Sequence, residues 1–235
     1  MGIAENYRRL REDVPDDVTI VLASKTRTTE EILEAIEAGA TDIGQNYVQE
    51  GAAMHESLAA RAQELTWHMI GHLQTNKINK ALRVFDVIQT VDSLQKAIAI
   101  DKRVEPAGGS AIRVCIEINI GNEDSKAGIN PEEHEPFEDY MEGLVSDMSR
   151  LAHLRIEGLM TMGPRFGDPE DTRPYFRRTR KVFERLKALD LPNVDMRYLS
   201  MGMTNSYRIA IEEGSNMVRI GTGVFGERAC RMTTK

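Results

Sequence analysis

One lysine of this sequence stands where a reactive amine is expected. Residues 19–26 read T-I-V-L-A-S-K-T, and their apolar and β-branched side chains predict a short buried strand that runs directly into Lys25. Thr28, followed by Glu30 and Glu31, predicts the capped start of a helix just beyond it. Partial desolvation at such a junction favours the neutral amine, which is a nucleophile. The alternative is a lysine that simply reaches solvent.

Two glycine-containing turns near the C-terminus predict a site for an anion. Residues 199–206, L-S-M-G-M-T-N-S, leave a strand through Gly202, with the hydroxyl groups of Ser200 and Thr204 beside it. Residues 218–226, V-R-I-G-T-G-V-F-G, repeat the arrangement with Gly221 and Thr222. Small residues let backbone N–H groups converge, and a helix N-terminus favours negative charge. Each turn alone has a structural explanation, whereas the pair favours a phosphate site.

Arg219 is expected inside the protein. It alternates with Val218 and Ile220 on a strand, so its side chain points to the opposite side from theirs. A buried guanidinium needs hydrogen-bond acceptors. Two interpretations stay open: a structural ion pair, or a donor to a ring nitrogen or phosphate of a ligand.

Two histidines in residues 67–77, W-H-M-I-G-H-L-Q-T-N-K, have a spacing that metal ligands also use. His68 and His72 are four residues apart, but no carboxylate or cysteine nearby completes a ligand set, so no metal is predicted. His72 is better explained as a hydrogen-bonding residue of a pocket. Trp67 and Met69 alternate with His68 and are predicted to belong to the core.

Strand and helix patterns alternate along the whole chain. A leading helix is predicted at 3–13, and eight strands at 19–25, 41–45, 66–71, 87–91, 111–120, 156–162, 196–201 and 217–220. The predicted helices between them include 48–64, 76–83, 131–151, 170–189 and 205–213. Eight such units over 235 residues predict an α/β fold, a (β/α)8 TIM barrel, formed by residues 1–235 as one domain. An open doubly wound sheet is the alternative. The strand ends that would converge on one face are Lys25, Asn46, His72, Asp92, Asn119, Met162, Ser200 and Gly221.

Composition narrows the class of protein. The 30 basic and 37 acidic residues give a net charge of −7, which argues against nucleic acid as a partner. Cys115 and Cys230 form no disulfide framework, which favours a reducing compartment. The polar N-terminus and the lack of a long apolar run argue against secretion and membrane insertion. We therefore expect a cytoplasmic protein, and a monomer.

Six spaced motifs resemble one known family. They are A-S-K-T (23–26), G-Q-N-Y-V-Q-E (44–50), W-H-M-I-G-H-L-Q-T-N-K (67–77), E-G-L-M-T-M (157–162), L-S-M-G-M-T (199–204) and V-R-I-G-T (218–222). Together they resemble the pyridoxal phosphate homeostasis protein family, which is similar to the N-terminal barrel domain of alanine racemase. The resemblance implies a fold-type III barrel that binds pyridoxal 5′-phosphate (PLP) as a covalent aldimine on Lys25.

The resemblance also implies roles for the other site residues. Around the phosphate it implies Ser200, Gly202, Thr204, Gly221 and Thr222. Arg219 would face the pyridine nitrogen, and Asn46 and His72 would line the cofactor pocket. A cation beside that nitrogen keeps the ring unprotonated and so weakens it as an electron sink.

Three positions bear on how far the resemblance extends. The family usually has glutamate where this chain has Gln45, and an acidic residue where it has Ser206. Gln45 can replace a carboxylate in hydrogen bonding but not in charge. Lys126 matches a lysine that the family tends to keep, and it is either a second amine near the pocket or a solvated loop residue.

The expected function is cofactor binding without efficient turnover, so no catalytic residue is assigned. The protein would hold PLP in intracellular homeostasis as a carrier or buffer, with PLP-dependent apoenzymes as recipients. One alternative is a slow amino-acid racemase or other PLP enzyme. It requires a second base on the other face of the substrate, and Tyr47, beside Asn46, is the best placed of the six tyrosines. Another alternative is a cofactor-free Schiff-base lyase acting through Lys25.

Overall fold

The computed structural model describes residues 2–104, 111–121, 127–163 and 167–227, and it contains a closed barrel of eight parallel strands. Lys126 lies outside the described residues, and so does the segment 105–110, whose sequence E-P-A-G-G-S predicts a tight turn between a helix and the fifth strand. The strands are β1 (Thr19–Ala23), β2 (Asp42–Gln45), β3 (Thr66–Met69), β4 (Val87–Val91), β5 (Ile112–Ile118), β6 (Leu154–Thr161), β7 (Val194–Ser200) and β8 (Met217–Ile220).

An α-helix follows each of the eight strands, and one more precedes the first strand. The α-helices are α1 (Ile3–Asp13), α2 (Thr29–Glu37), α3 (Val48–Leu58), α4 (Ile78–Ala81), α5 (Leu94–Val104), α6 (Phe137–Met148), α7 (Arg173–Lys187), α8 (Tyr207–Glu212) and α9 (Thr222–Phe225). Short 3-10 segments cover Ala59–Glu64, Thr75–Lys77, Pro131–Glu133 and Pro169–Thr172. No helix in these ranges is both long enough and apolar enough to cross a bilayer. The predicted strand and helix order, including the leading helix, is confirmed.

Pairing between the first and last strands closes the barrel. In the parallel register of β1 and β8, Val21 lies opposite Arg219 and Leu22 opposite Ile220. Each strand pairs with the next one in sequence, so the strand order is β1 to β8 around the barrel. The closed barrel is therefore confirmed, and the open doubly wound sheet is wrong.

Most of the core lies between the barrel and its helices. Outward-facing strand residues such as Leu22, Trp67 and Ile220 pack with helix residues such as Ile32 and Phe176 in one large cluster of buried side chains. Trp67 and Met69 belong to it, as predicted. Because both faces of each strand are covered, the strands read as nearly continuous apolar runs.

A smaller set of side chains fills the barrel interior. Val21, Ile70 and Met217 form one apolar cluster there, and Val87, Cys115 and Met160 form another. Gly44 also faces inward, because a Cβ at that position would lie 2.8 Å from Ile70 Cδ1 and 2.9 Å from Val21 Cγ1. Polar side chains, among them His68, Gln89 and Arg219, occupy other interior positions and belong to the site described below.

Two predicted helices differ from the observed ones. The helix predicted over 131–151 is divided: a 3-10 turn, Pro131–Glu133, precedes α6, which begins only at Phe137. Pro136 stands at the N-cap of α6, and a proline inside a helix would remove a hydrogen bond and clash with the preceding turn. The helix predicted over 48–64 ends as α3 at Leu58, because Ala59 has φ of 49°, outside the helical region.

Candidate functional site

Lys25 is held in a fixed segment just beyond β1. The preceding Ser24 is fully buried, and both its backbone N–H and its hydroxyl donate to the Gly44 carbonyl oxygen, at 2.9 and 3.1 Å. The following Thr26 has φ of 64°, so the chain turns sharply after the lysine. Thr28 and Glu31 then form a capping box that starts α2, as predicted. The backbone on both sides of Lys25 is therefore fixed.

The amine of Lys25 has an aromatic neighbour. Its Nζ lies 4.9 Å from the centroid of the Tyr47 ring, and the side chain is partly buried. Within residues 2–104 and the other described ranges, no carboxylate lies within ion-pairing distance of this amine. The amine is therefore not held by an acidic side chain of these residues and is available to react with a carbonyl group.

Arg219 points into the barrel, on the side of β8 that the alternation predicted. It is buried, its Nη1 donates to Ser200 Oγ, and its Nη2 donates to the Thr161 carbonyl oxygen at 2.7 Å. Burial lowers the pKa of Arg219 to about 10, against the opposing influence of nearby Glu117 and Cys115. The guanidinium therefore stays charged at neutral pH. Of its five N–H groups, two are committed to Ser200 and Thr161, so donors remain for a ligand.

His68 and His72 lie at different depths, the first inside the barrel and the second at its mouth. His68 is buried in the interior, where Nε2 lies 2.9 Å from Asp42 Oδ1 and Nδ1 lies 2.9 Å from Gln89 Nε2. The His72 side chain is 56% exposed at the mouth, and its Nδ1 is 3.8 Å from Asp92 Oδ2. Among the described residues, no group of three or more His, Cys, Asp or Glu side chains has metal-binding geometry.

Glu117 is a buried carboxyl group that sequence reasoning did not single out. It lies on β5 with only 3% of its surface exposed, and Oε2 has no hydrogen-bond partner in the part of the chain that the structure describes. Burial and the nearby Asp92 raise the pKa of Glu117 to about 7, and Arg219 and Lys96 partly oppose this. The sequence contained a signal for it: a single glutamate between Ile116 and Ile118 in an otherwise apolar strand points to the opposite face of the strand from its two neighbours.

The loops after β7 and β8 meet at the mouth of the barrel. The Gly223 N–H donates to Thr204 Oγ1 at 3.1 Å, and this bond joins the two loops. Gly202 has φ of +95°, and its carbonyl oxygen accepts from the Arg219 N–H at 3.0 Å. Gly221 and the exposed Thr222 begin the short helix α9. Four of the five predicted phosphate residues thus share one region of the mouth.

Ser200 differs from the other predicted phosphate residues. It is fully buried at the end of β7, and its hydroxyl donates to Gln89 Oε1 at 2.8 Å and accepts from Arg219. Its hydrogen-bonding capacity is therefore directed into the barrel, below the two loops. The structure brings Ser200 to Arg219, not to the exposed part of the loops.

A cavity of about 350 Å³ opens between the loops after β2 and β3. The predicted site residues Asn46 and His72 line it, together with Tyr47, Gly71 and Lys77. Within the described ranges, no acidic side chain lines this cavity. Lys77, a second amine at the mouth, was not predicted. Only its position in the motif with His72 could have indicated it.

The two departures from the family pattern have different surroundings. Gln45 is buried, and since Gly44 faces the interior, Gln45 faces α3, where its Cβ lies 3.5 Å from the position of a Cβ at Gly51. Its Oε1 has no hydrogen-bond partner among the described residues. Ser206 is the N-cap of α8, and its hydroxyl accepts from the Met203 N–H at 3.2 Å. Gln45 thus lies outside the barrel interior, and Ser206 acts within its own loop.

Comparison with known proteins agrees with this architecture. The chain matches the family model described as "Alanine racemase, N-terminal domain" over residues 2–229. An alanine racemase from Bacillus anthracis has the same fold, with a TM-score of 0.71 at 19% identity over 96% of this chain and 56% of that one. The fold class is therefore that of the alanine racemase N-terminal domain.

Two proteins with higher sequence identity to this chain define its family more narrowly. The chain is 39% identical to the pyridoxal phosphate homeostasis protein of Haemophilus influenzae, over 90% of this chain and 85% of that protein. PipY of Synechococcus elongatus, solved with PLP bound, has a TM-score of 0.83 at 31% identity, over 95% of this chain and all (100%) of that one. The chain belongs to the pyridoxal phosphate homeostasis protein family.

Proposed function

We propose that this protein binds PLP through a reversible aldimine on Lys25 and acts in intracellular PLP homeostasis as a carrier or buffer. The observation that carries the proposal is the pairing of the two strands that position Lys25 and Arg219. Lys25 follows β1 and Arg219 lies on β8, and these strands pair directly, with Val21 opposite Arg219. The names of the relatives, and the PLP bound in PipY, support the same cofactor.

The residues present fit the three reactive parts of PLP. The amine of Lys25, without a carboxylate partner in the described ranges, suits the aldehyde. The buried guanidinium of Arg219 suits the pyridine nitrogen as a hydrogen-bond donor. The joined loops that contain Gly202, Thr204 and Gly221 offer backbone N–H groups and a hydroxyl to the phosphate. The proposal assigns Thr222 to the same phosphate region, and Asn46 and His72 to the side of the cofactor pocket.

The charge of Arg219 favours holding the cofactor over fast chemistry. When bound, PLP supplies an electron sink for carbanions formed next to the imine. The cationic Arg219 opposes protonation of the pyridine nitrogen and thereby weakens that sink. The site therefore suits storage and delivery of PLP to apoenzymes in the cytoplasm by a monomeric protein.

The test is the visible absorption spectrum of the purified protein before and after borohydride, with peptide mapping of the reduced adduct. We expect an absorption band of an imine in the wild-type protein and a reduced pyridoxyl group on Lys25. Lys25→Ala removes both, whereas Lys77→Ala, which removes another amine at the mouth, retains both. A protein that stays colourless with added PLP, or an adduct on a different lysine only, contradicts the proposal.

Slow racemisation of an amino acid is a second candidate, and one contact favours it. The Tyr47 ring centroid lies 4.9 Å from Lys25 Nζ, which places a tyrosine beside the proposed site; it serves as the second base if its hydroxyl group reaches the face of the substrate opposite to Lys25. The test is turnover of each enantiomer of alanine by the PLP-loaded protein, with Tyr47→Phe as the variant. Turnover that Tyr47→Phe abolishes supports a racemase. Absence of turnover with an intact adduct on Lys25 supports the carrier.

A further inference from the structure

A row of hydrogen bonds crosses the barrel interior from Arg219 to Asp42. Arg219 Nη1 donates to Ser200 Oγ, and the Ser200 hydroxyl donates to Gln89 Oε1 at 2.8 Å. Gln89 Nε2 lies 2.9 Å from His68 Nδ1, and His68 Nε2 lies 2.9 Å from Asp42 Oδ1. Gln89 and Ser200 are completely buried, so water does not compete for the bonds that these two side chains make.

The positions of the acceptors determine the direction of every bond in the row. Because Gln89 Oε1 accepts from Ser200, its amide nitrogen faces His68 Nδ1, which must therefore accept. The ring proton of His68 is then on Nε2 and is donated to the Asp42 carboxylate. All donors point away from the cation and towards the anion, so each bond polarises the next in the same sense.

Gln89 determines whether the Ser200 hydroxyl group directs its lone pairs or its proton towards Arg219. A serine hydroxyl has one proton and two acceptor lone pairs, and the proton rotates freely unless an acceptor fixes it. With the proton donated to Gln89, the lone pairs of Ser200 face Arg219 Nη1. Gln89 is itself held from a second side, because its Nε2 also lies 3.3 Å from Met217 Sδ.

We propose that Gln89 is a positioning residue that fixes the guanidinium of Arg219 through Ser200, with His68 and Asp42 behind it. Ser200 and the Thr161 carbonyl oxygen hold two different nitrogens of the guanidinium, and two anchors define the orientation of its plane. The inference rests on the proposed function in one respect, namely that this plane faces the ring of bound PLP. The immobility of Arg219 itself does not depend on PLP.

The first test uses the protein without added PLP. In nitrogen-15 NMR spectra we expect His68 to carry its proton on Nε2 and Arg219 to give resolved, slowly rotating Nη–H signals. In Gln89→Leu the Arg219 guanidinium should rotate faster, so that its Nη–H signals average, and the ring proton of His68 should no longer be confined to Nε2. Gln89→Glu keeps an acceptor for Ser200, so it should retain the Arg219 signals while His68 becomes protonated on both nitrogens. Thr179→Val, which removes a fully buried hydroxyl on α7, is the control and should match the wild type.

The second test measures release of PLP from the loaded protein by transfer to an apoenzyme. We expect about tenfold faster release from Gln89→Leu and about wild-type release from Gln89→Glu, since a hydrogen bond to a charged group is worth about a factor of ten or more. The inference would be overturned if Gln89→Leu kept the Arg219 signals and the PLP release rate of the wild type. It would also be overturned if His68 of the wild-type protein carried its proton on Nδ1. If the wild-type protein takes up no PLP, the proposed function fails, and the NMR outcome still decides the role of Gln89.

Discussion

The Nζ of Lys25 lies 4.9 Å from the ring centroid of Tyr47, the residue that directly precedes α3. Tyr47 is 48% exposed and is the one exposed large hydrophobic side chain among the described residues. An ammonium over an aromatic face at a partly exposed site is stabilised by about 0.5–1 kcal/mol. The ring therefore restrains the amine while it is protonated, and the imine formation proposed above would have to overcome that restraint.

Two replacements of Tyr47 should distinguish the effect of its ring on imine formation from the effect of its hydroxyl group. We expect Tyr47→Ala to form the imine with PLP about two- to fivefold faster than the wild type, because an interaction of about 0.5–1 kcal/mol with the ammonium is lost. Tyr47→Phe keeps the ring and should react at the wild-type rate. The measurement is the growth of the imine absorption after rapid mixing. Slower imine formation in Tyr47→Ala would mean that the ring assists the reaction.

Glu117 should make the stability of the protein depend on pH. Its pKa is about 7 in the folded protein, against an ordinary value of 4.5, so the folded state binds the proton more tightly than the unfolded state. The free energy of unfolding therefore falls as pH rises from about 4.5 to 7, by at most about 3 kcal/mol from this group.

Glu117→Gln should remove this dependence. We expect the variant to be more stable than the wild type at pH 8, by about 1–3 kcal/mol, and nearly equal to it at pH 5. Urea unfolding at the two pH values measures the difference. Glu56→Gln, which changes an exposed glutamate on α3, should behave as the wild type at both. Equal stability of Glu117→Gln and the wild type at pH 8 would contradict the raised pKa.

Gly202 is required by its backbone conformation and by close packing. Its φ is +95°, and a Cβ there would lie 2.6 Å from Ala210 Cβ. We expect Gly202→Ala to lose about 2–4 kcal/mol of unfolding free energy, from the left-handed backbone and the overlap together, and to weaken PLP binding. Gly143→Ala is the matched control: Gly143 lies within α6 with open space around it, and alanine should stabilise that helix by about 0.5–1 kcal/mol. Thermal unfolding measures both, and a harmless Gly202→Ala would contradict the prediction.

Thr204 should contribute to recognition of the phosphate in particular. Thr204→Val removes the acceptor for the Gly223 N–H and so releases one loop from the other. We expect affinity for PLP to fall about three- to tenfold, the usual effect of one lost hydrogen bond, while affinity for pyridoxal, which has no phosphate, is unchanged. Thr204→Ser keeps the acceptor and should bind both as the wild type does. An equal loss of affinity for the two compounds would rule out a phosphate-specific role.

The fold could be predicted from the sequence because each strand is covered on both sides. Parallel strands that are buried on both faces give short apolar runs, and helix signals such as Thr28 with Glu31 separate them. The inward direction of Arg219 also followed from alternation along one strand. The division of the helix predicted at 131–151 was missed, although Pro136 is a signal that sequence analysis can use.

The interior of the barrel was not predictable in the same way. The row from Arg219 to Asp42 joins side chains of five strands, so it depends on the register of every strand pair and on closure of the barrel. His68 and His72 show the limit of sequence reasoning. They are four residues apart in sequence, yet His68 lies in the barrel interior and His72 at the solvent-exposed mouth. The spacing of residues in the sequence does not reveal where a strand ends. Beyond that end, side chains no longer alternate between the interior and the outside of the barrel.

The pairing of β1 with β8 has a consequence for synthesis of the protein. Val21 and Arg219 are opposite one another in the barrel although nearly the whole chain separates them, and the Asn6 side chain of α1 donates to the Val224 carbonyl oxygen of α9 at 3.0 Å. β1 can pair with β2 early in synthesis, but its other edge stays unpaired until β8, the last strand, has emerged. β1, which leads into Lys25, and β8, which contains Arg219, pair only then, so a prematurely terminated chain has the lysine of the proposed site without its arginine.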